Sequence, residues 1–307
     1  MIRISPLRGL IAAPFTPFHI DGRLNPDRIA DQAAFLAANG ADGVFICGTT
    51  GEGLSLTTDE RLTVAECWMS TSRQPVIVNV AHTSTHEAAR LADHAQSLGA
   101  AGVACTAPFY FRPVGVRDLV AFLAEVAAAA SRVPFYYYDI PSTTGVLLPT
   151  ADVLGRAAEV IPNLAGVKFS NPDLLTLQEC IAAEGGRFNV LFGIDEYLLA
   201  ALVLGADGAV GSTYNFAAPL YRKMREFVRS GDLAAARVLQ HRSAKLVRVL
   251  IDFGGVRAGK AMMAMVGVDC GPVRPPLRPM GPDERRALYD RLMAEVPEVF
   301  AQPLTFR

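Results

Sequence analysis

The chain has 307 residues, 51% hydrophobic and 19% charged, with a formal net charge of −1. That composition is ordinary for a globular protein, and the near-zero charge gives no whole-chain electrostatic argument for binding nucleic acid or an anionic membrane. The five cysteines (Cys47, Cys67, Cys105, Cys180 and Cys270) contain no C-x-x-C pair, which speaks against a zinc site or a disulfide framework and suits a reducing compartment.

The opening segment MIRISPLRGLIAAPFTPF is broken by Pro14 and Pro17 and lacks the long apolar core and small-residue cleavage site of a secretory leader. No uninterrupted apolar stretch is long enough to span a bilayer. The expectation is a cytoplasmic protein with no membrane and no nucleic-acid partner.

Short apolar, β-branched or aromatic runs then recur at residues 10–13, 44–48, 76–80, 102–107, 134–140, 165–170, 189–194 and 208–214. Most are apolar throughout rather than alternating, the pattern of strands buried on both faces. The segments between them read as helices. Leu62, Ala65 and Trp68 mark one stripe; Ala88, Leu91, Ala92 and Ala95 follow the i, i+3, i+4, i+7 spacing of another. Thr57 with Glu60, and Ser84 with Glu87, predict capping boxes. Leu-Gly-Ala at 98–100 and again at 204–206 predicts left-handed glycine caps. Eight βα units in a row predict an α/β fold, a (β/α)8 TIM barrel, with a doubly wound sheet as the rival because strand order cannot be read from the sequence. After about Leu220 the pattern becomes helical, with Leu288, Leu292 and Val296 on one late face. The expected division is a barrel over residues 1–230 and a C-terminal helical extension over 231–307, with 272–279 (PVRPPLRP) as an irregular connection.

Reactive groups in such barrels sit at the C-terminal ends of the strands. Lys168 lies near the end of the apolar run AGVKFS and is the one lysine of four in a predicted strand. A buried amine is more easily held neutral, and a neutral amine attacks a carbonyl carbon. A strand-end lysine that snorkels to solvent or pairs with an acid is the other reading. Tyr138, in phase with Tyr136 and Ile140 on the preceding run, is placed to relay protons if it is not simply core. The small residues of Gly48-Thr49-Thr50-Gly51 can present backbone N–H groups to an anion, or simply form a tight glycine loop; no Lys-Ser/Thr follows, so this is not a P-loop. Asp195 and Glu196 either accept hydrogen bonds from sugar hydroxyls or fill the first turn of the next helix.

Other features carry less. His82 and His86 are four apart but lack the H-E-x-x-H order and a third ligand, so no metal site is expected. Met262, Met263 and Met265 read as a packed helix face, and the arginines within 274–278 as decoration of a solvated connection.

Taken together, GTTGE, YDIP, GVKFS and GSTYN resemble the dihydrodipicolinate synthase/N-acetylneuraminate lyase family, in matching order over nearly the whole chain. The resemblance implies a homotetrameric barrel in which Lys168 forms a Schiff base with a 2-oxo acid and Tyr138 relays protons. Thr49 and Thr50 would bind the substrate carboxylate, with no metal or organic cofactor, because the lysine itself supplies the electron sink. Tyr110, in APFYF, lies near the family tyrosine that reaches across a subunit interface.

Within the family, dihydrodipicolinate synthases carry an arginine just after the YNVP-type motif. Here that segment is PSTTG, without one, and an Arg–carboxylate fork is a strong orienting contact. The stretch FGIDEYLLAALVLGADGAVGSTYN is instead similar to the sialic acid-cleaving branch, in which Gly193, Asp195, Glu196 and Ser212 would bind the polyol chain. Ser170, where many bacterial members have Thr, is expected to border the substrate as well. The expected activity is reversible cleavage of N-acetylneuraminate to N-acetylmannosamine and pyruvate, with dihydrodipicolinate synthesis or another pyruvate-dependent sugar-acid aldolase as the alternative. Asp139 and Ser170 are the first suspects for a changed substrate. A non-catalytic protein on this fold would be expected to lose Lys168 or Tyr138. A phosphate-handling barrel would want a glycine-rich loop after the last strands, with which Gly211-Ser212 is weakly compatible.

Overall fold

The computed structural model of the chain describes residues 6–300; the first five residues of the segment read for a leader, and the last seven of the chain, lie outside that range. Eight parallel strands close into a barrel in sequence order: β1 (Gly9–Ala12), β2 (Gly43–Ile46), β3 (Val76–Asn79), β4 (Gly102–Thr106), β5 (Phe135–Asp139), β6 (Leu164–Phe169), β7 (Asn189–Phe192) and β8 (Gly208–Gly211). Pairing of β1 with β8 completes the ring, which settles the choice against an open doubly wound sheet.

Both strand faces are buried, which is why the runs are apolar throughout. Ile11, Phe45, Ile77, Tyr136, Tyr138, Leu191 and Val210 point inward and fill the barrel. Val44, Val103, Val167 and Phe192 point outward against the helices. Tyr136 closes the lower layer, its buried hydroxyl donating to Asn189 Oδ1 at 3.0 Å.

The helices between strands are α1 (Arg28–Asn39), α2 (Thr58–Thr71), α3 (Thr85–Ser97), α4 (Val116–Ala129), the short α5 (Pro141–Thr144), α6 (Thr150–Ala158), α7 (Leu174–Gly186) and α8 (Leu198–Leu204). Thr57 and Glu60 make the expected capping box on α2. On α3 only half of the box forms. Ser84 accepts from the Glu87 amide, but its own N–H donates to His82 Nδ1 at 2.9 Å, so His82 is a turn residue. Gly99 and Gly205 take the left-handed conformation expected of them.

After β8 come α9 (Tyr214–Ser230), α10 (Leu233–Asp252), α11 (Val256–Met265), α12 (Pro282–Glu295) and the single turn α13 (Pro297–Phe300). Leu288, Leu292 and Val296 are fully buried, as are Met262 and Met263. One expectation for this region fails. Arg274 does not decorate a solvated connection: its guanidinium donates to both oxygens of Glu60 (2.5 and 2.7 Å) and to the Gly22 carbonyl at 2.8 Å. Arg278 does stay largely exposed, paired with Glu284.

Candidate active site

The strand ends carry the departures from the expected boundaries, and those departures shape the site. β2 stops at Ile46 because Cys47 turns into the left-handed region (φ 56°), and β8 stops at Gly211, with Tyr214 already in α9. The backbone freed at these ends opens a cavity of about 450 Å³ at the C-terminal mouth of the barrel. All nine residues singled out from the sequence border it: Lys168, Tyr138, Thr49, Thr50, Ser170, Gly193, Asp195, Glu196 and Ser212. A cavity of this size suits a small organic ligand.

Lys168 rises from β6 directly beside Tyr138 of β5 and Leu191 of β7. Its Nζ lies 3.8 Å from the centre of the Tyr138 ring and 4.1 Å from that of Phe45. Phe45 meets Tyr138 edge-on at 5.4 Å, so the lysine stands between two fixed aromatic walls. The residue is only 4% exposed, and no carboxylate pairs with it among the described residues. Neither the snorkelling nor the ion-paired reading therefore describes it.

The loop bearing Thr49 and Thr50 is held from several sides. Asn79 Nδ2 donates to the Cys47 carbonyl at 2.8 Å, and Thr16 Oγ1 donates to the Gly51 carbonyl at 2.6 Å. Gly53 is required, because a Cβ there would run into the Cys47 carbonyl. Cys47 itself does not border the cavity. Burial pushes its thiol up, opposed by the neighbouring Arg61 guanidinium, whose Nη1 and Nη2 donate to the Ala81 and Asn79 carbonyls.

Beyond β6, the Ser170 amide donates to the Asp139 carbonyl at 2.8 Å, and Ser170 Oγ packs against Gly193 so closely that a Cβ there would collide with it. Asp139 is one of the two residues suspected of changing the substrate. Its side chain does not border the cavity; it accepts from Thr150 Oγ1 (2.9 Å) and Asn171 Nδ2 (3.2 Å) behind the barrel wall. Burial raises its carboxyl, and those hydrogen bonds oppose the rise. Ser170, the other suspect, does border the cavity.

The two acids after β7 differ in kind. They occupy a short 3-10 turn, Asp195–Tyr197, rather than the first turn of α8. Asp195 is buried, and its Oδ2 accepts from both the amide (2.9 Å) and hydroxyl (2.6 Å) of Thr213. That hydroxyl continues through Tyr221 to Ser243 on α10, and Ser243 Oγ donates back to the Asp195 carbonyl. Burial pushes the Asp195 carboxyl up to about 6, against the pull of the Thr213 bonds. Glu196 is half-buried and its carboxylate makes no hydrogen bond or ion pair among the described residues, which leaves it free for a ligand.

Ser142, Pro172, Tyr197, Val247 and Leu250 also border the cavity and were not anticipated. Tyr197 follows the acidic pair directly and was within reach of the motif. Val247 and Leu250 come from α10, where nothing local in the sequence distinguishes them from core. Tyr110 lies outside the cavity, 76% exposed and edge-on to Phe111. Among the described residues no group of three or more His, Cys, Asp or Glu side chains could hold a metal ion, and no helix is long and apolar enough to cross a membrane.

Comparison with known proteins gives the family of the chain. The chain is 42% identical over 279 residues to N-acetylneuraminate lyase of Mus musculus, covering 89% of this chain and 87% of that one. The solved Proteus mirabilis N-acetylneuraminate lyase superimposes with a TM-score of 0.93 at 39% identity, covering 95% of this chain and 99% of the other. A Ruminococcus gnavus sialic acid aldolase, solved as a catalytic lysine mutant, superimposes with a TM-score of 0.89 at 25% identity, covering 98% and 100%. Residues 6–295 match the Dihydrodipicolinate synthetase family, and the chain belongs to that family.

Proposed function

We propose that the protein is a Schiff-base aldolase, a carbon–carbon lyase that splits N-acetylneuraminate reversibly into N-acetylmannosamine and pyruvate. The observation that carries this reading is Lys168: buried, without a carboxylate partner among the described residues, and set beside Tyr138 in the cavity where Thr49, Thr50, Glu196 and Ser212 also converge. The likeness to N-acetylneuraminate lyases supports the substrate.

In the cleavage direction the open-chain substrate places its carboxylate on the Thr49–Thr50 loop and its polyol chain toward Gly193, Asp195, Glu196 and Ser212. Lys168 Nζ attacks C2, and loss of water gives a protonated imine. Tyr138 takes the C4 hydroxyl proton as the C3–C4 bond breaks, and the bonding pair flows into the imine to form an enamine. N-acetylmannosamine leaves as the aldehyde. The enamine takes a proton at C3, and water hydrolyses the imine to release pyruvate and restore Lys168. The amine does the work of an organic cofactor.

Asp195 serves this site chiefly by its fixed position, because Thr213 already occupies one carboxylate oxygen. Glu196 is the acid that grips sugar hydroxyls. The exposed Tyr110, Phe111, Val114 and Leu147 support assembly into a homotetramer through these loops, since monomers seldom leave such apolar side chains grouped in solvent. The five free thiols support a cytoplasmic setting.

The test is pyruvate release from N-acetylneuraminate, read with a coupled lactate dehydrogenase. Turnover above about 1 per second is expected of an enzyme on its own substrate. Absence of release, with pyruvate still forming an imine, would move the substrate to another 2-oxo sugar acid.

A further inference from the structure

Lys168 is not the only buried lysine. Lys260, on α11, is 3% exposed, and its Nζ lies 2.7 Å from Glu52 Oε1, with both side chains 2% exposed. Glu52 ends the loop that carries Thr49 and Thr50. Its other oxygen accepts from the Arg274 amide at 2.9 Å. Lys260 also donates to the Pro272 carbonyl at 2.7 Å, so both partners of Glu52 belong to the chain after α9. Phe18 lies against the two cations, its ring centre 4.1 Å from Lys260 Nζ and 4.2 Å from Arg274 Cζ.

Glu52 sits in the left-handed region (φ 52°), as does Cys47 (φ 56°) at the other end of the loop. That conformation is uncommon for a residue other than glycine and carries a backbone cost that its surroundings offset. Here the surroundings are the buried ion pair and the Arg274 amide. Glu52 does not border the cavity, so it touches no substrate.

We infer that Glu52, clamped by Lys260 and the Arg274 backbone, is a positioning residue that sets the Thr49–Thr50 loop for the carboxylate of the 2-oxo acid. The helices after the barrel are on this account a working part of the site. The inference rests on the reading that this loop holds the carboxylate. A carboxylate grip acts alike on bound substrate and transition state, so loosening it weakens binding far more than it slows chemistry.

The experiment titrates pyruvate against borohydride trapping on Lys168, and measures kcat and KM for N-acetylneuraminate, in the wild type, Thr50→Ala and Glu52→Gln. The double variant Glu52→Gln/Lys260→Met is carried alongside, since removing both charges of a buried pair is tolerated better than orphaning one. Expected for folded Glu52 variants is a rise of about tenfold or more in half-saturating pyruvate and in KM, with kcat within about threefold. If Glu52→Gln does not fold, the double variant decides. A folded Glu52 variant with wild-type half-saturation, while Thr50→Ala is weakened, overturns the positioning role and leaves the loop's carboxylate role standing. Wild-type protein that traps no pyruvate on Lys168 overturns both.

Discussion

Lys168 and Tyr138 are register partners on β6 and β5, and the lysine Nζ stands 3.8 Å from the centre of the phenol ring. The ring walls the amine in whether or not its hydroxyl is present. Tyr138→Phe should therefore keep the lysine in place and still form the imine with pyruvate, while kcat for N-acetylneuraminate falls about 10²- to 10⁴-fold, the usual worth of a positioned proton relay. Steady-state kinetics beside borohydride trapping separates the two steps. An unchanged kcat would remove Tyr138 from proton transfer.

Glu196 and Asp195 are adjacent but not equivalent. Of the two, Glu196 is the one whose carboxylate has no protein partner among the described residues, while Asp195 is bonded to Thr213. Glu196→Gln should raise KM for N-acetylneuraminate about tenfold or more, the cost of weakening charge-assisted hydrogen bonds to hydroxyls. Half-saturating pyruvate should not move, because pyruvate has no polyol chain to reach that residue.

Asp195 gives a pH signature of definite sign. Its carboxyl is raised in the folded chain from an ordinary 3.8 to about 6. At pH below that ordinary value both folded and unfolded chains carry the proton, and the site costs nothing. Between about 4 and 6 the folded chain keeps a proton that the unfolded chain has released, so stability falls as pH rises. Above about 6 the whole cost is present, at most about 3 kcal/mol. Asp195→Asn, whose amide oxygen can still accept from Thr213, should gain stability relative to wild type as pH rises from 4 to 7. Denaturant unfolding across that range reads it, and a relative loss would contradict the assignment.

Asp139→Asn should leave the substrate range unchanged, because the side chain sits behind the barrel wall with Thr150 and Asn171. Its cost should fall on stability, within about 1–3 kcal/mol for a disturbed buried hydrogen-bonded group. A changed preference among sugar acids would show that the Asn171 contact transmits to Ser170.

The residues legible in the sequence are those whose signal is local. Lys168 interrupts an apolar strand, Tyr138 shares the phase of Tyr136, and GTTGE and IDE stand at strand ends, where βα barrels place their chemistry. Alternation places Asp139 as well, since a residue next to an inward Tyr138 must face outward. Lys260 and Arg274 were out of reach. Their partners Glu52 and Glu60 lie more than two hundred residues away, and no periodicity within α11 or the 272–279 connection marks them as buried. Val247 and Leu250 escaped for the same reason, because the packing of α10 over the barrel mouth is tertiary.

The most direct test of the Schiff-base chemistry is borohydride reduction of the protein during turnover of N-acetylneuraminate, followed by mass mapping of its peptides. The expected result is a single reduced pyruvyl adduct on Lys168, absent from Lys168→Ala, which should also release no pyruvate. Pyruvate release with no adduct, or an adduct on another lysine with Lys168 unmodified, would contradict it.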